Sequence, residues 1–110
     1  SAASDVYKRQ IETLQEFHLR LQSAPVTELT AVTHGNALSV YCRDPEGNRI
    51  EIYVDTPWYV SQPCRVVMPV ELPPDQLLNW AKEHASKLTG FKPRSEWRAE
   101  MVRRMGIEET

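Results

Sequence analysis

The sequence predicts an α+β domain: one amphipathic helix, then three antiparallel strands, then two further helices. Three observations carry this. Ile11, Leu14, Phe17 and Leu21 recur at spacings of three, three and four, the period of one helix face. Residues 37–55 alternate polar and apolar side chains on both sides of the turn sequence Asp44-Pro45-Glu46-Gly47-Asn48. Residues 75–105 hold two helical stretches separated at Gly90.

Taken in order, the first helix is expected over residues 5–24, with Asp5 as N-cap and Pro25 just past its end. Residues 26–33 are rich in β-branched residues and read as a strand. In residues 37–43, Leu38, Val40 and Cys42 share one face and Ser39, Tyr41 and Arg43 the other. In residues 49–55, Ile50, Ile52 and Val54 oppose Glu51, Tyr53 and Asp55, so the two runs close a hairpin. Residues 56–74 carry five of the eight prolines and predict an ordered but irregular arm. Residues 75–89 predict a helix with Asp75 at or near its N-cap. Residues 94–105 predict another, with Ser95 as cap and Trp97, Met101 and Met105 as its apolar stripe.

Residues 1–10 read as a leader. They lack Met, "SAA" resembles a tag remnant, and "DVYKRQ" is what the end of a common transposase sequencing adaptor encodes in one frame. The native reading is therefore expected to begin near Ile11, in a C-terminal piece of a longer, metagenomic gene. The remaining chain divides at about residue 62, into a strand module (11–62) and a helical extension (63–110).

A length of 110 residues suits one domain with a modest core. A net charge of -2 gives no sign of a nucleic-acid partner. No apolar run approaches a membrane span. Two cysteines, Cys42 and Cys64, make neither a disulfide framework nor a metal knuckle, and Cys42 reads as a small core residue. The expected setting is a reduced, cytoplasmic one.

If the hairpin closes about Glu46, Tyr41 faces Glu51, Ser39 faces Tyr53 and Val40 faces Ile52. Cross-strand neighbours then lie within about 5.5 Å at Cβ. The apolar face is expected to pack on the first helix. The other presents Glu51, Tyr41, Tyr53 and Ser39, as either a solvated surface or the wall of a site. No HxH, HExxH or His/carboxylate pair accompanies Glu51. His18 reads as a helix-face residue beside Phe17, and His84 likewise on the second helix.

The stretch "HGNALSVYCRDPEGNRIEIYVDTPW" resembles the last strands of the vicinal oxygen chelate superfamily, which includes glyoxalase I, fosfomycin-resistance enzymes and extradiol ring-cleavage dioxygenases. Its core is "YCRDPEGNRIEIY", Tyr41 to Tyr53. The helix and three strands fit that superfamily's βαβββ module without its first strand. The Tyr ten residues before the Glu, with "HG" upstream, looks most like type I extradiol dioxygenases, and the arm and tail helices look like their C-terminal extension. The likeness spans about residues 11–105.

The resemblance implies that Glu51 is the carboxylate of a two-histidine, one-carboxylate triad holding Fe(II) or Mn(II). It also implies that Tyr41 bonds a substrate oxygen and that His34 is an acid/base residue. The substrate class would be a catechol-like ring cleaved with O₂. Both histidine ligands of such a triad lie upstream of the helix in the family, and nothing here corresponds to them. The chain alone is then expected to be inactive unless an oligomer rebuilds a site. The unpaired sheet edge left by the missing strand favours a homodimer. Two other readings stand beside this one: a non-catalytic scaffold that self-associates or binds a small molecule, and a parent of the glyoxalase or fosfomycin-resistance type. The "TPWYV" arm favours the dioxygenase side of the resemblance, while the simpler reading of Trp58 and Tyr59 is that they bury against the hairpin.

Overall fold

The computed structural model describes residues 2–106 and has the expected α+β architecture. A long helix α1 (Ala2–Leu21) precedes three antiparallel strands, β1 (Thr27–Thr33), β2 (Ala37–Arg43) and β3 (Arg49–Asp55). Short strands β4 (Trp58–Tyr59) and β5 (Val66–Val67) lie in the arm. Helix α2 (Pro74–Ser86), strand β6 (Lys92–Pro93) and helix α3 (Arg94–Met105) follow. The main sheet has the order β3-β2-β1-β5, and β4 pairs with β6 in a separate ribbon. Among the described residues no helix is long and apolar enough to cross a membrane.

The hairpin has the expected register: Tyr41 pairs with Glu51, Ser39 with Tyr53 and Val40 with Ile52. Its turn is built by Asp44, whose Oδ1 accepts from the backbone N–H groups of Glu46 and Asn48 and whose Oδ2 accepts from Asn48 Nδ2. Those bonds hold the Asp44 carboxyl below its ordinary range. Gly47 takes the left-handed φ of 86° that the turn requires.

One face of the sheet carries the core. Leu38, Val40 and Ala31 pack with Ile11 and Leu14 of α1 and with Leu77, Ala81 and Ala85 of α2. Met68, Val70 and α2 of the helical extension contribute to this core together with the strand module. Gln15 joins them, its Nε2 donating to the carbonyls of both Val70 and Leu72 at 3.0 and 2.6 Å.

Helix ends depart from expectation. α1 begins upstream of Asp5, which stands in the first turn and favours the helix dipole rather than capping it. The helix also runs unbroken through the expected leader boundary at residue 10, and Lys8 reaches Asp75 at 3.3 Å. It ends at Leu21, not 24, because the backbone tightens to i→i−3 bonds at Ser23 and Ala24 ahead of Pro25. Phe17 is 43% exposed, not core. The buried line runs through Ile11, Leu14 and the half-buried His18 and Leu21, and Phe17 falls about 80° round from its centre. Neither Asp75 nor Ser95 is a cap: Pro73 and Pro93 hold the N-cap positions of α2 and α3. α2 stops at Ser86, three residues short of expectation. α3 buries no residue fully, and Met105 is 65% exposed. The helix is held instead by Trp97, stacked on Tyr59 at 4.7 Å, and by Arg94, which donates to the carbonyls of Thr56 and Asn36.

Candidate functional site

The second face of the sheet is where the polar residues converge. By strand pairing, Thr30, Tyr41 and Glu51 form one cross-strand row, and Val32, Ser39 and Tyr53 form the next. The face is neither wholly wet nor wholly covered. Val32 and Ser39 are fully buried, Tyr41 is half-buried, and Glu51 and Tyr53 are exposed. Ser39 donates its hydroxyl to Glu51 Oε2 at 3.0 Å, so a buried hydroxyl orients an exposed carboxylate.

His34 reaches the same place from the end of β1. Its Nδ1 lies 2.8 Å from the carbonyl of Cys64, and its Nε2 lies 2.7 Å from the Tyr41 hydroxyl. A carbonyl can only accept, so in the neutral imidazole Nδ1 carries the proton and Nε2 accepts from Tyr41. Protonating Nε2 reverses that bond and frees the phenolic proton to turn toward Glu51, the cross-strand partner of Tyr41. The three residues singled out from the sequence, His34, Tyr41 and Glu51, are therefore neighbours.

The backbone makes this possible through Gly35. It has φ 80°, and a Cβ there would lie 2.1 Å from Val60 Cγ2. Thr33 Oγ1 accepts from the Gly35 N–H, and Thr56 Oγ1 donates to the Gly35 carbonyl. Gln62 donates to the His34 carbonyl at 2.8 Å. The arm thus fixes the loop from which His34 projects.

Burial raises the Tyr41 pKa above its ordinary 10.0, and the adjacent Glu51 carboxylate adds to the effect by repelling a phenolate. Arg49 acts in the opposite sense. Tyr41 is thus a phenol that holds its proton, suited to donating rather than to acting as a phenolate base.

The donor set does not fit a metal ion within one chain. Among the described residues, no group of three His, Cys, Asp or Glu side chains is placed to hold one. His34 engages both ring nitrogens with Cys64 and Tyr41, which leaves Glu51 as the sole anionic donor in this cluster. His18 lines apolar grooves formed with residues 67–72 and 70–74. His84 stacks on Trp80 in α2, so neither histidine joins the site. Trp58 is buried in the core, while Tyr59 stacks on Trp97.

Sequence reasoning missed the cations around Tyr41. The guanidinium carbons of Arg49 and Arg65 lie 5.0 and 5.7 Å from its ring centroid. Arg49 was legible in principle, two residues before Glu51 on the same strand face. Arg65 comes from the irregular arm, where no periodicity points to a side. No family model, curated protein or solved structure matches the chain.

Proposed function

We propose that this chain is the carboxylate-bearing half of a vicinal oxygen chelate type of site. Its parent would be an extradiol-type dioxygenase acting on a catechol-like ring, and the chain by itself would be inactive. The observation that supports this reading is the single wall formed by Glu51, Tyr41 and His34, with Tyr41 bonded to the imidazole and paired across the strands with the carboxylate. A substrate hydroxyl against this wall meets a phenol that can donate to it. Behind the phenol stands an imidazole that can take up or return the proton. Glu51, oriented by Ser39, places a negative charge beside the phenol and helps it keep its proton until a partner accepts it.

The direct test is metal content per chain after anaerobic loading with Fe(II) or Mn(II) and desalting, for wild type and Glu51→Ala. Retention of about one ion per one or two chains, lost in the variant, would mean that association of chains supplies the missing ligands. Retention by neither protein would reject a rebuilt metal site.

A second reading, a self-associating scaffold, is favoured by the edge of the sheet. β3 is one of the two terminal strands, with β2 on one side and no strand on the other among the described residues. Alternate residues along this seven-residue edge offer unpaired N–H and C=O groups to a second copy. Sedimentation equilibrium tests this: a homodimer across a range of concentrations supports it, and a monomer throughout rejects it.

A further inference from the structure

We propose that the groove beside Tyr41 is an oxyanion site. Its ligand is a small organic acid, whose carboxylate, or a phosphate in its place, is held between Arg49 and Arg65. The groove has a volume of about 420 Å³ and is lined by Thr30, Tyr41, Arg43, Arg49 and Arg65 together with Glu28. That size falls in the range of small-ligand pockets.

The charge balance of the groove makes the case. Arg43 is ion-paired with Glu28 and also donates to the carbonyl of Gly47, so its charge is answered. Arg49 and Arg65 have no ion-pair partner among the described residues. Both guanidinium groups nevertheless gather on one aromatic ring, from separate parts of the chain. Two like charges so placed repel each other, and an anion between them reverses the sign of the interaction. Guanidinium forks also match the two oxygens of a carboxylate or phosphate.

Orientation follows from Glu51. Its carboxylate lies across the strands from Tyr41, so it repels the charged end of the ligand. The acid group therefore sits at the arginines, and the uncharged body lies against the Tyr41 ring and Thr30 within the groove. The oxyanion site stands on these groups alone, without a metal and without the enzymatic reading above.

Calorimetric titration of the metal-free chain at low salt tests this with three probes: benzoate, its neutral counterpart benzyl alcohol, and inorganic phosphate. Benzoate is expected to bind wild type and benzyl alcohol not to bind. Arg49→Gln and Arg65→Gln should each weaken benzoate by about tenfold, and the double variant should abolish binding. Circular dichroism establishes that the double variant is folded. Phosphate binding tighter than benzoate assigns a phosphorylated ligand, and the reverse assigns a carboxylic acid. Glu51→Gln should bind benzoate at least as tightly as wild type. Failure of wild type to bind either anion, equal binding by the folded double variant, or weaker binding by Glu51→Gln would overturn the proposal.

Discussion

The hairpin of residues 37–55 and the arm of residues 56–74 reach the same site by opposite routes. The hairpin is specified locally. Its seven pairs follow from strict alternation and from a turn whose Asp44 carboxylate accepts three hydrogen bonds from Glu46 and Asn48. The arm has little regular structure of its own: two strands of two residues each. It is placed by single anchors: Thr56 on Gly35, Gln62 on His34, Cys64 on His34, and Val70 and Leu72 on Gln15. Yet Arg65, half of the proposed anion clamp, belongs to the arm. Local rules present the carboxylate and the phenol, and long-range anchors bring up what surrounds them.

Four experiments, three of them substitutions, probe this division, from the largest effect to the smallest. Gly35→Ala strikes the junction of the two regions. The added methyl meets Val60 at 2.1 Å in a left-handed backbone, and a loss of about 2–4 kcal/mol in chemical denaturation is expected. Arg94→Ala removes two bonds that tie α3 to carbonyls before β2 and after β3, at 2.5 and 2.9 Å. It should cost about 1–3 kcal/mol and raise amide exchange in α3 before the hairpin. Gln15→Ala leaves two arm carbonyls without their donor and should cost about 1–2 kcal/mol, with exchange rising at residues 68–72 while the β2–β3 amides keep their protection.

The fourth is a titration. The Tyr41 pKa is raised in the folded chain, so its contribution to stability is present below the ordinary value of 10.0 and is lost as pH rises through the folded value. Phenolate absorbance should show one tyrosine ionising later than the others, absent in Tyr41→Phe. Glu51→Gln should move that late step back toward the ordinary value. If it does not shift, the carboxylate has no electrical hold on Tyr41.

Much of the fold was legible because alternation and turn chemistry are local properties. The alternation alone places Tyr41, Glu51 and Ser39 on one face, since a register about Glu46 dictates it. What stayed hidden depends on contacts distant in sequence. Phe17 looked like core by spacing, but the sheet meets a line through Leu14 and His18 instead. Asp75 looked like a cap, but Pro73 takes that position, with Pro74 at the first helical position where no N–H is needed, and Asp75 reaches Lys8. The bond of His34 to Tyr41 depends on the arm holding the His34–Gly35 loop in place, and no pattern in residues 56–74 encodes that.

The two thiols give the molecule an internal record of its own opening. Cys42 is buried in β2, and Cys64 is half-buried in the arm, where burial pushes its thiol above the ordinary range. Alkylation needs an accessible thiolate, so the fully buried Cys42 reacts only when its surroundings open, while the half-buried Cys64 reacts faster as the arm loosens. Faster modification of Cys64 marks loosening of the arm around His34, whereas modification of Cys42 requires the sheet itself to open. The ratio of the two rates separates loss of the site from loss of the fold, without any change to the sequence.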